Sequence, residues 1–225
     1  MSGIKAKIGA LMAATRQYDM AEGYRNYLKD HPNAVLVNLG CGLDTTFYQV
    51  DNGTAKGYNL DFPDVIRARN ELLPPREREY NVACDLNDVS WFDFIDFKTE
   101  DGAVFFASGV FYYFKAEDVR KLFTAMAEHF PGGELVFDAT NAKGLKNMLK
   151  TWLEPAQMKD VGLYFSVENE QDLVAWSEDF ASVIRKGYMT GYRPLDKRYG
   201  ILANTIFKFG DWSNMCQVIE IEFKR

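Results

Sequence analysis

Residues 34–46 read AVLVNLGCGLDTT, a short apolar run rich in β-branched residues that leads into two closely spaced glycines. Residues 34–40 have the composition of a buried parallel strand. A second such stretch, KGYNLD at 56–61, ends in an aspartate, and the proline at position 63 suits the first turn of a helix. With a short helix at 44–50 between them, the two strands predict the first βαβ unit of a parallel sheet.

The alternation of strands and helices continues along the chain. Further strands are predicted at 79–86, 102–109 and 134–139, and residues 102–109 are apolar enough for the middle of a sheet. The spacing of apolar residues predicts helices over 4–30 and 116–130. This pattern indicates an α/β fold with a doubly wound, Rossmann-like sheet.

The pattern changes after residue 140. Helices are predicted at 141–153, 168–176 and 197–209, and a strand at 180–189. Residues 217–223, QVIEIEF, alternate strictly between apolar and polar, which predicts a half-exposed antiparallel strand at the sheet edge. The sheet is therefore expected to be mostly parallel with an antiparallel C-terminal strand.

Composition narrows the class of protein. The chain has 225 residues, of which 47% are apolar and 26% charged, as in a single globular domain. A net charge of −6 without a basic block argues against nucleic-acid binding, and no run of about eighteen apolar residues suggests a membrane span. The three cysteines are too far apart to predict a metal site or a disulfide framework, so a cytoplasmic location is expected.

The glycines after the first strand predict a ligand site. Gly40 and Gly42 would let the backbone approach a ligand, but Thr45 stands where a dinucleotide fingerprint has its third glycine. Residues 41–50 contain no Lys or Arg, and Asp44 adds a negative charge, so a cationic ligand is favoured over a pyrophosphate. Capping of the following helix is the alternative role for Asp44.

Asp61 points to a nucleoside. It ends the second strand about twenty residues after Gly40, where an acidic side chain can accept both ribose hydroxyls. A ribose-binding acid beside an acidic loop without a phosphate cradle fits S-adenosylmethionine better than NAD. The alternative is a glycine-rich turn in which Asp61 caps the helix that begins near Pro63.

The same stretches resemble the leucine carboxyl methyltransferase family, including its bacterial polyketide O-methyltransferase-like members. The resemblance rests on VNLGCGLDTTFYQVDNG (37–53) and YNLDFPDVIRARNELLP (58–74), and weakens through FFASGVFYYFKAEDVRKLF (105–123) to FPGGELVFDA (130–139). It implies a class I methyltransferase fold, S-adenosyl-L-methionine as methyl donor, and transfer to a carboxylate or hydroxyl oxygen of a small molecule or peptide. The length of the chain and the lack of a linker-like stretch separately predict one methyltransferase domain over 1–225.

Four positions carry over from the family motifs. By resemblance, Gly40 is the donor-loop glycine and Asp61 the ribose acid, while Asp85 and Leu86 form the pair that contacts the adenine edge. A solvated loop acid is the alternative role for Asp85.

Two further positions come from the same comparison. Arg16 matches a family arginine that reaches the donor carboxylate, with an exposed helical arginine as the alternative. Ser108 stands where the family usually has a glutamate, so it is a donor contact that lacks the charge. The N-terminal helical cap, residues 1–33, is shorter than in the family, and the variable segment 141–200 is expected to form the acceptor side. These departures leave a non-catalytic donor-binding or partner-binding relative as an alternative function.

Residues for catalysis are less clearly indicated. A carboxylate acceptor needs no general base, and both histidines, His31 and His129, are interpreted as structural. The aromatic run at 111–114 follows a strand on the ligand side, and within it Tyr112 is the candidate catalytic residue. The leading hypothesis is thus an S-adenosylmethionine-dependent O-methyltransferase, and a nicotinamide-dependent oxidoreductase is the least favoured.

Overall fold

A computed structural model describes residues 3–153, 161–192 and 194–225 and contains one seven-stranded sheet. The strand order is β3-β2-β1-β4-β5-β7-β6. The strands are β1 (Val35–Leu39), β2 (Lys56–Asp61), β3 (Glu79–Ala83), β4 (Ala103–Ala107), β5 (Glu134–Ala139), β6 (Phe180–Gly187) and β7 (Gln217–Phe223). The predicted α/β fold is confirmed, and β4 lies at the centre of the sheet as its composition predicts.

In the residues that the structure describes, four α-helices accompany the first five strands along the chain, and three more follow β5. They are α1 (Gly3–Asp30), α2 (Thr46–Val50), α3 (Pro63–Leu72), α4 (Ala116–His129), α5 (Ala142–Met148), α6 (Gln171–Val174) and α7 (Ile201–Trp212). Short 3₁₀ turns occupy Val89–Phe94, Phe111–Tyr113 and Lys197–Tyr199, and a π-helical turn, Leu149–Leu153, follows α5. Within the described part of the chain, no helix is both long and apolar enough to cross a membrane.

The C-terminal strand differs from its prediction in one respect. β7 runs antiparallel to β5, as expected, but it lies inside the sheet because β6 pairs with its other side. The prediction of an edge strand is therefore wrong. Strict alternation of apolar and polar residues indicates that one face of a strand is less buried than the other. It does not indicate whether both edges of the strand are hydrogen-bonded to neighbouring strands. The outer side chains of β7, Glu220 and Glu222, pair instead with Lys186 and Ser182 of β6.

Successive residues of the central strands pack on opposite faces of the sheet. Val35, Val37 and Leu39 belong to a core shared with α4 and the 89–94 turn. Leu36 belongs to a second core shared with α1 and α2. Because both faces are covered, the central strand β4, AVFFA, is apolar along its whole length.

The parallel strands bring their carboxyl ends to one edge of the sheet. β1 pairs with β2 on one side and β4 on the other, so the chain reverses its order of strands beside β1. Ligands of doubly wound sheets bind at this point. Gly40, Asp61, Ser108 and Asp138, which end or follow β1, β2, β4 and β5, are placed at this edge by the topology.

Candidate functional site

The turn after β1 requires a glycine at position 40. Gly40 has a φ of +65°, and a Cβ there would lie 2.5 Å from Cγ2 of Val110. A larger residue would be strained and would also displace the segment that follows β4. Gly40 lines a cavity at the carboxyl end of the sheet, as the sequence predicts.

Asp61 lies on the wall of the same cavity, and two backbone amides orient its carboxylate. Oδ2 accepts a hydrogen bond from the Gly42 amide at 2.8 Å, and Oδ1 accepts one from the Phe62 amide at 2.8 Å. Gly42 itself is not among the wall residues. Its amide orients the acid that faces the cavity. A direct contact between Gly42 and the donor stays a prediction.

This first cavity, here called the donor cavity, has a volume of about 510 Å³. Its wall consists of Gly40, Asp61, Phe62, Cys84, Leu86, Asn87, Gly109, Val110, Tyr113, Phe114, Lys115, Asp118 and Tyr164. Lys115 is the one basic residue in that set, so no cradle for a pyrophosphate is present among the described residues. Two carboxylates, Asp61 and Asp118, and the aromatic rings of Phe62, Tyr113, Phe114 and Tyr164 also line the cavity, which suits a cationic nucleoside.

Of the two residues predicted to contact the adenine, Leu86 lines the donor cavity and Asp85 does not. Leu86 is buried on the wall of the donor cavity. Asp85 is exposed and is not a wall residue, and its Oδ1 accepts from the amide and side-chain nitrogen of Asn87 at 2.9 and 3.0 Å. Because Asn87 does line the cavity, Asp85 holds a neighbouring wall residue in place. A direct contact between Asp85 and the donor stays a prediction.

Asp44 serves the start of α2. Its Oδ1 accepts from the Thr46 amide at 2.8 Å and from Asn38 Nδ2 at 3.1 Å, while its Oδ2 accepts from the Thr46 hydroxyl at 3.0 Å and Gln17 Nε2 at 3.3 Å. It is not a wall residue of the donor cavity. Asp44 precedes Thr45, the N-cap residue of α2, and its carboxylate connects the donor loop to the start of this helix. A direct contact between Asp44 and the donor stays a prediction.

A second cavity of about 650 Å³, here called the acceptor cavity, lies beside the first. Most of its wall is apolar: Met12, Tyr112, Met148, Tyr188, Met189, Ile206, Phe207, Phe209 and Met215. The two cavities share Gly109 and Tyr113, which follow β4. The predicted acceptor segment 141–200 supplies part of this wall, but α1 and residues 206–216 also contribute.

Arg16 and Asp138 form an ion pair in the acceptor cavity near this junction. Arg16 Nη1 donates to Asp138 Oδ2 at 3.2 Å, and the Gly109 amide donates to Asp138 Oδ1 at 2.6 Å. The Asp138 side chain is 3% exposed and that of Arg16 is 34% exposed. Asp138 thus fixes Arg16 and the backbone of Gly109 at the junction. Ser108, the residue before Gly109, lines the same wall.

Sequence reasoning missed Asp138. The signal was present, since a carboxylate stands near the end of β5, directly after the apolar run LVF at 135–137. Buried carboxylates are rare unless they are paired. Its partner Arg16 is 122 residues away in the chain, so the pairing itself could not be read from local sequence.

The groups on the described wall of the acceptor cavity that could serve as a general base are tyrosines, one cysteine and two carboxylates. Burial raises the pKa of Tyr112 well above its usual value, and burial likewise raises the pKa of Tyr188. Burial, with nearby Asp138 and Asp211, raises the pKa of Cys216 to about 12. The Asp211 carboxylate accepts from the Met189 amide at 3.0 Å and the Thr190 hydroxyl at 2.7 Å.

Both histidines lie away from these cavities. His31 stacks on Tyr27, and His129 packs against Phe92 and Phe130. Neither belongs to the wall of the donor or the acceptor cavity. In the described residues no group of three or more His, Cys, Asp or Glu side chains could hold a metal ion.

The strand order, the antiparallel β7 and the paired cavities define a class I methyltransferase fold. A methyltransferase family model, leucine carboxyl methyltransferase, matches residues 12–127, just over half of the chain. The chain belongs to the leucine carboxyl methyltransferase family.

Individual proteins are similar to this chain over different shares of its length. The tetracenomycin polyketide synthesis O-methyltransferase TcmP of Streptomyces glaucescens is 30% identical over 114 residues, which cover 50% of this chain and 42% of that protein. The match thus spans less than half of the length of this relative. A structure from Thermobifida fusca, provisionally described as a methyltransferase, has a TM-score of 0.68 at 15% identity, with 95% of this chain and 82% of that chain covered.

A geranyl diphosphate methyltransferase in complex with S-adenosylmethionine is also similar. Its TM-score is 0.58 at 15% identity, and the match covers 100% of this chain and 91% of that chain. At such identities the two structural comparisons support the fold alone.

Proposed function

We propose that the protein transfers a methyl group from S-adenosylmethionine to an oxygen of a mainly apolar acceptor. The observation that carries this proposal is the junction of the two cavities at Gly109 and Tyr113. A donor in the first cavity and an acceptor in the second would meet there. Transfer from a sulfonium is an in-line displacement, for which the protein mainly supplies orientation and exclusion of water.

The donor cavity supports a nucleoside in a defined position. Asp61 would accept the ribose hydroxyls, since its carboxylate is oriented by the Gly42 and Phe62 amides. Leu86 would pack on the adenine ring, and Gly40 would allow close approach of the donor to the backbone. Arg16 is held by Asp138 near the junction, where it would pair with the donor carboxylate.

A carboxylate is the acceptor group that this chemistry favours. The raised pKa values of Tyr112, Tyr188 and Cys216 keep these groups protonated at neutral pH, and the Asp138 and Asp211 carboxylates already accept hydrogen bonds. A hydroxyl acceptor would need a base to remove its proton. A carboxylate is already ionised, so its oxygen attacks the methyl group without one.

The test separates a carboxylate from a hydroxyl acceptor by the lability of the product. The protein would be incubated with methyl-labelled S-adenosylmethionine and a panel of aromatic and aliphatic carboxylic acids, each matched by the corresponding alcohol. Methyl esters release labelled methanol in mild alkali, whereas methyl ethers do not. We expect label in the alkali-labile fraction with the acids. Alkali-stable product from the alcohols alone would contradict the proposed acceptor group.

A non-catalytic donor-binding relative is the second candidate. It is favoured by Ser108, which lines the acceptor cavity next to Gly109. The family usually has a glutamate at this position of the sequence. Replacement of Ser108 by Glu separates the two functions. If the wild type binds the donor without turnover and Ser108→Glu gains turnover, the second candidate is correct. Turnover by the wild type excludes it.

The remaining expectations belong to the same proposal. We infer that residues 1–225 act as one methyltransferase domain in which α1 within 1–33 supplies Arg16 and Met12 to the acceptor wall. All three cysteines, Cys41, Cys84 and Cys216, are unpaired, which supports a cytoplasmic location. A small-molecule or peptide acid is the expected partner.

A further inference from the structure

Arg69 of α3 is an arginine with a side-chain exposure of 0%. Its guanidinium donates through Nη1 to the Gly42 carbonyl oxygen at 3.1 Å and through Nε to Asn81 Oδ1 at 3.1 Å. Nη2 lies 3.4 Å from Glu79 Oε1. A buried cation is tolerated only when it is paired and hydrogen-bonded. One of the hydrogen bonds that Arg69 donates goes to the backbone of the donor loop.

The contact with Gly42 connects Arg69 to the donor cavity. The Gly42 carbonyl accepts from Arg69, and the Gly42 amide donates to the Asp61 carboxylate at 2.8 Å. The peptide groups on both sides of this residue are thus held, with its φ at +48°. Because the Gly42 amide sets the orientation of Asp61, movement of Gly42 would turn the carboxylate that faces the cavity.

The support behind Arg69 is itself rigid. Glu79 is buried and also accepts from Asn59 Nδ2 at 2.8 Å and from the Arg76 amide at 3.0 Å. Asn59 lies on β2 and Glu79 is the first residue of β3, so the Arg69 guanidinium is anchored to the sheet. Arg67, two positions earlier on the same helix, is exposed. The helix therefore offers a matched arginine that does not reach the loop.

We propose that Arg69 is a positioning residue for the donor ribose, acting through Gly42 on Asp61. This role rests on the proposed function. It differs from a purely structural tie between α3 and the sheet, because a structural tie predicts no energetic coupling between Arg69 and Asp61.

A double-mutant cycle tests the coupling. Binding of S-adenosylhomocysteine is measured by calorimetry for the wild type, Arg69→Lys, Asp61→Asn and the double variant, with Arg67→Lys as the control. Lysine keeps the charge beside Glu79 but lacks the fork that reaches three acceptors. We expect Arg69→Lys to weaken binding about tenfold in the wild-type background and less than twofold in the Asp61→Asn background, and Arg67→Lys to have no effect.

The outcomes separate this role from the proposed function. Equal losses in the two backgrounds, with wild-type binding intact, would overturn the role of Arg69 and leave the proposed function standing. Absence of S-adenosylhomocysteine binding by the wild type would overturn both. If Arg69→Lys does not fold, the pair Arg69→Met with Glu79→Gln removes both buried charges and replaces it in the cycle, with the same expected coupling.

Discussion

At the residue scale, the proposed function assigns recognition of the donor ribose to Asp61. Asp61→Ala removes a carboxylate that two backbone amides orient toward the donor cavity. We expect the affinity for S-adenosylhomocysteine to fall by about 1–3 kcal/mol, because charge-assisted hydrogen bonds to the ribose are lost. Calorimetric titration measures this change. Asp64→Ala, an exposed acid on the first turn of α3, is the control and should bind normally; unchanged affinity in Asp61→Ala would remove Asp61 from the site.

A second prediction concerns the buried carboxylate that holds Arg16. Asp138→Asn keeps an acceptor for the Gly109 amide but removes the charge opposite the arginine. We expect donor affinity to fall about tenfold and the free energy of unfolding to fall by about 1–3 kcal/mol.

Calorimetry and urea unfolding measure these two effects separately. The exposed acid Asp172 on α6 provides the control through Asp172→Asn, which should change neither quantity. Normal donor affinity in a less stable Asp138→Asn variant would show that the pair serves the fold alone.

The sequence predicted which residues line the donor cavity better than which nearby residues lie outside its wall. Gly40, Asp61 and Leu86 lie on the wall because the end of a parallel strand fixes where the next side chains emerge. Asp44 is close in sequence to Gly40, but its carboxylate contacts Asn38 and Thr46. The direction of a side chain in a loop depends on tertiary partners, which local sequence does not specify.

At the scale of elements, regular strands were predicted closely and the helices after residue 140 less so. β5 and β7 have the predicted bounds, since a change from apolar runs to glycine or polar residues marks their ends. The helix predicted at 197–209 is divided, because Gly200 takes a φ of +84° between a 3₁₀ turn and α7. The helix predicted at 168–176 is reduced to the single turn of α6.

The pairing of β5 with β7 predicts a pH-dependent stability. Glu134 lies opposite Glu222 in this ladder, and burial, with repulsion from Glu220 and Glu222, raises the pKa of Glu134 from 4.5 to about 7. The folded state therefore holds this proton to a higher pH than the unfolded state. Stability from this group is present below pH 4.5 and is lost as the pH rises toward 7.

The variant Glu134→Gln tests this prediction. At pH 8 we expect it to be more stable than the wild type by about 1–3 kcal/mol, and at pH 4 to be equal to it, because the wild-type carboxyl is then protonated. Urea unfolding at both pH values measures the difference. Glu117→Gln, on the exposed first turn of α4, should show no such pH dependence. A constant difference at both pH values would exclude titration of Glu134 as the cause.

At the scale of the whole molecule, two cavities meet beside Gly109 and Tyr113, and on the described wall of the larger one the two carboxylates already accept hydrogen bonds. We therefore expect the rate of methyl transfer to be flat between about pH 7 and 9, because the acceptor carboxylate is ionised throughout this range. Tyr112→Phe should reduce kcat less than tenfold. Steady-state rates across this pH range measure both effects. A rate that rises tenfold per pH unit, and a loss above a hundredfold in Tyr112→Phe, would instead identify Tyr112 as the base.

The central claim is that the donor cavity binds S-adenosylmethionine, and calorimetric titration tests it most directly. The purified protein is titrated with S-adenosylmethionine, S-adenosylhomocysteine and NADH under one set of conditions. We expect micromolar dissociation constants for the first two and no binding of NADH, because Asp61 accepts a ribose while the described wall offers no cradle for a pyrophosphate. Binding of NADH alone, or of none of the three, would contradict the account.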